Sequence, residues 1–259
     1  MRNIKLVIEY DGTNYVGWQR QPAHHGKSIQ QELEKALACV LKQQYSLLGA
    51  GRTDAGVHAL AQVANFHTTC NIPVEKLPIA LNNLLPHDIR VRLASDMDEN
   101  FHARFCAHSK TYRYHIVHGG PCSVFDERYA WQIFKKLDVE AMRRAATYFL
   151  GEHDFRNFSV LGSSVKGFVR NISRLELIEP GKTELCTHGN YGEPLLIEVS
   201  ANGFLYKMVR LITASLVEVG RGRLDEEVLR AYIERTTPFH TMPPAPAKGL
   251  LLLRVDYGK

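Results

Sequence analysis

The chain has 259 residues, of which 45% are hydrophobic, and a formal net charge of +5. This length and apolar content are enough for one large domain or two small ones. The modest basic excess permits a polyanionic partner without requiring one. No apolar run approaches the roughly 20 residues of a membrane helix, so the sequence predicts no membrane partner.

The first 105 residues contain alternating strand and helix patterns. A capping box that begins at Ser28 predicts the start of a helix, and Pro78 is expected to interrupt or begin a shorter one. In chain order, the pattern predicts a strand over 4–10, a helix over 29–41, strands over 45–48 and 57–66, a helix within 74–85 and a strand over 89–93.

The remaining residues repeat this order. Asp138 is placed to cap a helix that ends at Gly151, and Gly220 to end another. The predicted strands are 111–117, 172–178, 195–200 and 250–257, the predicted helices 139–150, 204–219 and 224–235, and the predicted loop 181–194. We therefore predict an α/β fold of the α+β kind, with mainly antiparallel sheets in two similar domains, 1–105 and 106–259.

The cysteines and the N-terminus indicate the compartment. The five cysteines are odd in number and scattered, at positions 39, 70, 106, 122 and 186. This suits a reducing cytoplasm rather than a disulfide framework. Residues 1–6 enter a strand-like pattern at once, which predicts no signal peptide. We therefore expect a cytoplasmic protein.

Neither a metal ion nor a cofactor is expected. The closest group of metal-ligand side chains is His102, Cys106 and His108, whose spacing fits no usual zinc pattern. The sequence also lacks the phosphate loop G-x-x-x-x-G-K-[ST] and the dinucleotide fingerprint G-x-G-x-x-G.

The segment from Gly49 to Ala59, Gly-Ala-Gly-Arg-Thr-Asp-Ala-Gly-Val-His-Ala, carries the most chemical information. Arg52 and Asp54 lie two residues apart between Gly51 and Gly56, which permit unusual backbone conformations and leave room for a ligand. A nearby cation favours an ionised carboxylate, so Asp54 suits the role of nucleophile or base. For an isolated Arg-x-Asp, however, a turn-capping aspartate paired with a surface arginine is the commoner arrangement.

Five short motifs are distributed along the chain, and both their residues and their order carry information. They are Tyr10–Tyr15 with Gly17–Gln19, Ala50–His58, Lys110–Tyr114, Phe204–Arg210 and Pro244–Leu250. Together they resemble the TruA family of tRNA pseudouridine synthases, and Ala50–His58 resembles the active-site motif of that family. One segment departs from the family pattern. Residues 164–172 resemble a loop that usually reads Ser-Pro-x-Arg-x-Ile, but the proline is absent and Phe168 is inserted, while Arg170 and Ile172 still align.

The resemblance implies a fold of two similar α/β domains with a central active-site cleft. It also implies isomerisation of uridine to pseudouridine at positions 38, 39 and 40 in the anticodon stem-loop of tRNA, without a cofactor. The target uridine must be flipped out of its stack. The family further implies a homodimer that cradles tRNA across both subunits.

The resemblance assigns roles to three residues, and position in the sequence adds two further candidates, Arg52 and Leu250. Asp54 matches the catalytic aspartate, Tyr112 the tyrosine that lies on the target base, and Arg210 a helix arginine that reaches toward the aspartate. Arg52 is placed to pair with Asp54 and to insert beside the flipped base. Leu250 is a pocket-lining candidate, for which a plain core position is an equal alternative. For Tyr112 without the resemblance, a core position on the strand is the favoured interpretation.

Cations interleaved with aromatic residues suit single-stranded nucleic acid, which needs contacts to phosphates and flat rings for bases. The cations are Arg20, Arg90, Arg92, Arg104, Lys110 and Arg113, and the rings are Trp18, Phe101, Phe105, Tyr112 and Tyr114. Half of these residues would serve equally as surface charges and core rings. Two other functions compete: a non-catalytic RNA-binding module in which Asp54 is a turn residue, and an Asp-dependent hydrolase, which no Asp-x-Asp pair supports.

Overall fold

The structure, a computed structural model, describes residues 1–160, 167–181, 191–235 and 242–258. The chain divides into two compact units. Unit 1 comprises Met1–Lys110 together with the strand residues from Leu251 onward, and unit 2 comprises Thr111–Leu250. Each unit carries mainly antiparallel strands and helices, so the predicted mixed α/β fold is confirmed.

The sheet of unit 1 is built from both ends of the chain. Its strands are β1 (Arg2–Tyr10), β2 (Leu48–Gly49), β3 (His58–Thr68), β4 (Ile89–Met97) and, from the chain end, β10 (Leu250–Asp256). Their order is β4-β1-β3-β10, and β2 also pairs with β3. Strand β1 is antiparallel to both neighbours, whereas β10 runs parallel to β3. Ile4, Leu6 and Ile8 alternate into the core, as expected for a strand with one buried face.

Helices α1 and α2 of unit 1 begin where the sequence indicates. Helix α1 (Ile29–Leu41) is capped by Ser28, whose hydroxyl accepts a hydrogen bond from the Gln31 N–H. Helix α2 (Leu77–Asn82) follows a short 3-10 turn (Val74–Lys76), with Pro78 in its first turn. Proline is tolerated there because a first-turn N–H has no partner within the helix.

Unit 2 carries the strands in the middle of the chain. They are β5 (Ser109–His118), β6 (Trp131–Ile133), β7 (Gly151–Asp154), β8 (Val169–Ile178) and β9 (Glu193–Ala201). The order is β5-β9-β8-β7, with β6 parallel to β5. Helices α3 (Val139–Thr147), α4 (Met208–Gly220) and α5 (Glu226–Glu234) accompany these strands. Asp138 caps α3 as predicted, and Asp225 caps α5.

The two glycines predicted to end helices in unit 2 have different roles. Gly151, at φ +92°, begins β7, and α3 already ends at Thr147. Gly220 is the last residue of α4, and a Cβ there would lie 2.6 Å from the Met142 sulfur on α3. Gly220 therefore permits close helix packing rather than a left-handed helix end.

The division into units differs from the boundary drawn from the sequence, near residue 105. It falls between Lys110 and Thr111, and the last strand belongs to unit 1. Parallel pairing of Leu251 with His58 and of Leu252 with Ala59 places that strand there. These two strands are far apart along the chain, so the local hydrophobic pattern of the sequence does not indicate that they pair. None of the helices in the described ranges is both long enough and apolar enough to cross a membrane.

Candidate active site

The loop that carries Asp54 connects β2 to β3 and is fixed to the segment after β1. The Trp18 N–H donates to the Thr53 carbonyl at 3.1 Å, and the Gly56 N–H donates to the Tyr15 carbonyl at 3.4 Å. The motifs at residues 10–19 and 50–58 therefore form one structural unit, although helix α1 lies between them in the sequence.

Thr53, the neighbour of Asp54, is held from two sides. Its hydroxyl shares a hydrogen bond of 2.8 Å with the hydroxyl of Tyr10, and both residues are buried. Burial raises the pKa of Tyr10 to about 12, partly offset by hydrogen bonds from Thr53 and Gln62. Tyr10 is thus neutral at physiological pH and its O–H is retained. Sequence reasoning missed this pair because a buried tyrosine on a strand is an ordinary core residue.

The Tyr10–Thr53 bond gives a prediction about stability. Tyr10→Phe leaves the buried Thr53 hydroxyl without this partner, so we expect a loss of about 1–3 kcal/mol in the free energy of unfolding. Thr53→Val should cost a similar amount alone, but little more when added to Tyr10→Phe, because an apolar pair leaves no unsatisfied group. Urea denaturation of the single and double variants measures this coupling. Fully additive losses would contradict it.

Glycines let the two segments approach each other closely. Gly17 has φ +106°, and a Cβ there would lie 2.5 Å from the Thr53 carbonyl oxygen. Gly56, at φ +75°, adopts the left-handed conformation expected from the sequence. Gly51 does not require a positive φ, and its added Cβ would meet only the Lys110 side chain, at 3.7 Å or more.

The charged groups of the loop differ in environment. Asp54 is half-buried and Arg52 is exposed. Arg52 makes no ion pair within the described ranges, so the predicted pairing with Asp54 is not formed in this structure. Lys110 lies over the loop, with its Nζ 3.8 Å from the position of a Cβ on Gly51. His58, at the loop end, is buried and accepts a hydrogen bond from the Gly12 N–H at 3.1 Å. The loop therefore carries one carboxylate, Asp54, with Arg52 two residues away in the sequence and Lys110 over Gly51.

Unit 2 contains the other three predicted site residues. Tyr112, on β5, is 7% exposed and packs edge-to-face on Phe204, with ring centroids 5.1 Å apart. Arg210, in the first turn of α4, donates from Nε to the Ala245 carbonyl at 2.7 Å. Leu250 is also buried.

The last motif of the chain packs on the strand that carries Tyr112. The Tyr114 hydroxyl donates to the Pro246 carbonyl at 2.7 Å, and a Cβ on Gly249 would lie 2.6 Å from the Tyr114 ring. Burial raises the pKa of Tyr114, and the charge of Arg210 opposes the rise. Tyr114, Arg210 and the segment that ends at Leu250 therefore belong to one packed region.

Several cations expected to contact RNA are already paired. Arg20 bonds to Glu34, Arg92 to Glu9 at 2.5 Å, and Arg113 to Glu198 at 2.5 Å. Such pairs reduce the charge available to phosphates. In the described ranges, no group of three or more His, Cys, Asp or Glu side chains is arranged to hold a metal ion.

The segment that departs from the family pattern is only partly described. Residues 164–166 lie outside the described residues, as does most of the loop predicted over 181–194. Val169 begins β8, and the ring of Phe168 lies 4.7 Å from the guanidinium of Arg156. The inserted phenylalanine therefore has a cation as neighbour.

Comparison with known proteins covers almost the whole chain. A family described as tRNA pseudouridine synthase matches residues 6–106 and 145–258, which include Arg52, Asp54, Arg210 and Leu250 but not Tyr112. tRNA pseudouridine synthase A of Moorella thermoacetica is 43% identical over 98% of this chain and 99% of its own. tRNA pseudouridine synthase A 2 of Clostridium perfringens is 44% identical over 99% and 100%.

Solved structures are more distant. A chain of the archaeal box H/ACA sRNP Nop10-Cbf5 complex gives a TM-score of 0.34 at 12% identity. The match covers 83% of this chain but only 42% of that chain. A likeness at this level does not establish a shared function.

Proposed function

The chain belongs to the tRNA pseudouridine synthase family, and from this premise we propose that it isomerises uridine to pseudouridine in tRNA. The proposed targets are positions 38, 39 and 40 of the anticodon stem-loop, and the proposed location is the cytoplasm. The observation that carries the proposal is the Asp54 loop, whose family motif is held in place by the segment after β1.

The chemistry requires no external reactant. The bond from uracil N1 to ribose C1′ breaks, a bond from C5 to C1′ forms, C5 loses a proton and N1 gains one. Asp54 is the proposed nucleophile of this exchange. Two routes lead to the product: its carboxylate adds to the base, or it attacks C1′. In either route the carboxylate must face the flipped nucleotide, and the hydrogen bonds to Thr53 fix the backbone from which it projects.

Flipping needs a group that holds the nucleotide outside its stack. Extrusion of a base costs a few kcal/mol. Arg52 is exposed, carries no ion pair in the described part of the chain and lies two residues from Asp54. A guanidinium binds phosphate oxygens through two parallel hydrogen bonds and stacks on flat rings. We therefore propose that Arg52 binds the phosphate of the target nucleotide and fills the space that its flipped base leaves in the stack.

Release of tritium from 5-tritiated uridine in tRNA tests the proposal directly. Pseudouridine formation exchanges the C5 hydrogen, so the protein should release tritium in proportion to pseudouridine found in the product. A passive RNA-binding module would bind this tRNA without release, and an Asp-dependent hydrolase would not exchange C5. Transcripts in which only one of positions 38, 39 and 40 is uridine show at which of these positions the protein releases tritium. Release that is unaffected when all three uridines are replaced would contradict the assignment to these positions.

Tyr112→Phe separates two roles of the tyrosine. The change keeps the ring, and with it the contact with Phe204 and stacking worth about 1–3 kcal/mol per base. If stacking is the whole role, single-turnover rate and tRNA affinity stay within about threefold. A rate that falls while affinity holds would assign the hydroxyl to proton transfer. A variant that unfolds would instead support a purely structural tyrosine, and circular dichroism distinguishes this outcome.

We further propose that the functional unit is a homodimer. One 29.3 kDa chain with a net charge of +5 offers little basic surface for a tRNA, and several of its cations are paired internally. A two-fold axis doubles the surface that one tRNA meets. Light scattering at micromolar concentration should give about 59 kDa, twice the mass of the chain. A fully active species of single-chain mass would contradict the proposal.

A further inference from the structure

A short turn of unit 1 displays an aromatic ring and a cation together. Phe105 is 75% exposed, although most phenylalanines are buried. The Arg104 guanidinium lies 5.6 Å from the centroid of that ring, and the His102 ring lies 4.3 Å from it on centroids. The function proposed above gives no role to these three side chains.

The inner side of the same turn is firmly anchored. Ala103 is fully buried, its N–H donates to Asn65 Oδ1 at 2.9 Å, and its carbonyl accepts from the Tyr257 hydroxyl at 2.7 Å. The Cys106 N–H closes the turn on the His102 carbonyl at 3.0 Å. Phe105 is therefore held on the surface by a fixed backbone. Such a ring binds a flat partner with little further loss of conformational freedom.

The charge of Arg104 distinguishes it from three other arginines that the sequence predicts to contact RNA. Arg20, Arg92 and Arg113 each bond to a glutamate. Arg104 makes no ion pair within the residues that the structure describes. Its positive charge is thus available to an anion, next to an exposed ring. A base and its phosphate offer this combination of a flat face and a negative charge.

The turn is connected to the Asp54 loop through the core. Phe101 and Ala103 pack in one apolar cluster with Ala50 and Val63. Ala50 is the first residue of the active-site motif. An RNA bound at Asp54 is therefore bound to the same rigid body that presents Phe105.

We propose that Arg104 and Phe105 form a second nucleotide-binding site, in which an unpaired base of the tRNA stacks on Phe105 and its phosphate binds Arg104. This inference rests on the proposed function, since it takes tRNA as the ligand. The site contributes to affinity and lies apart from the chemical step, so its loss weakens binding and leaves the reaction of bound tRNA intact.

Phe105→Ala and Arg104→Gln test the site by tRNA binding over several salt concentrations. We expect Phe105→Ala to raise Kd about tenfold, or about 1.4 kcal/mol, without altering the salt dependence. Arg104→Gln should also weaken binding, and should reduce the slope of log Kd against log salt by about 0.7–0.9, as for one lost phosphate contact. Phe105→Trp should restore the affinity, because it keeps a stacking ring.

Phe134→Ala is the matched control, since Phe134 is 72% exposed in unit 2; its Kd should equal that of the wild type. Single-turnover rates at saturating tRNA should be equal in all variants. Unchanged Kd for Phe105→Ala overturns the inference. The inference is also overturned if Phe105→Ala changes the mass measured by light scattering while Kd is unaltered, because Phe105 would then be a contact between two copies of the chain. Tritium release by the wild type is scored separately, so a failure of the proposed function is distinguished from a failure of this site.

Discussion

Asp54→Asn is expected to abolish pseudouridine formation while tRNA affinity stays within about tenfold, or about 1.4 kcal/mol. Asparagine keeps the size of the side chain and removes the charge that a nucleophile needs. The loop should remain folded, because the bonds that fix it run through the Thr53 and Gly56 backbone and the Thr53 hydroxyl.

Asp96→Asn supplies the control for this variant. Asp96 lies on β4 in the same unit, is exposed and pairs with Arg2 at 2.8 Å. The same chemical change there should leave tritium release unaltered. A release rate near the native value for Asp54→Asn, with tRNA saturating, would remove Asp54 from the mechanism.

Helix starts that carry a side-chain cap are the most predictable part of this fold, whereas α4, which has no such cap, begins at Met208 and not at the predicted residue 204. Ser28 and Asp138 cap the helices that their positions indicate. A cap is a local hydrogen bond between a side chain and a backbone N–H two or three residues on, so the sequence carries it in full. Helix ends are less consistent. The predicted end of α1 at residue 41 is confirmed, although left-handed Lys42 rather than a glycine follows it, whereas α3 ends at Thr147 and not at residue 150.

Short strands are not predicted, because they leave no comparable local signal in the sequence. Trp131–Ile133 pairs with β5, and Gly151–Asp154 with β8. Strands of this length are too short to show alternation, and no tight turn joins either of them to its partner. Distance along the chain likewise hides the pairing of β10, whose parallel partner β3 lies in the N-terminal part of the sequence.

The candidate site is predictable only as far as its motif. Arg52 and Asp54 stand out because glycines bracket them, and the family match contains both. The Tyr10–Thr53 bond and the position of Lys110 over Gly51 are not predictable, since they join residues from distant parts of the sequence. The pairing of surface arginines with glutamates is equally hidden, because a count of basic residues does not show which of them are neutralised.

Arg52→Ala is expected to lower the single-turnover rate about 100-fold at saturating tRNA. This corresponds to about 2.7 kcal/mol, on the scale of the few kcal/mol that extrusion of a nucleotide costs. The side chain is exposed and makes no ion pair in the described ranges, so its removal should leave the stability of the protein unchanged. Arg52→Lys keeps the charge but not the planar fork, and we expect an intermediate rate.

Arg92→Ala separates this effect from general electrostatics. Arg92 belongs to the same unit, is exposed and pairs with Glu9 at 2.5 Å. Its removal should leave the single-turnover rate at saturating tRNA at the native value. The slope of log Kd against log salt should change by less than the loss of one phosphate contact would cause. The two variants are compared by rapid-quench single turnovers and by binding titrations at several salt concentrations. If Arg52→Ala reacted at the native rate once saturated and lost only salt-dependent affinity, Arg52 would be an ordinary phosphate contact, and the flipped nucleotide would be held by another group.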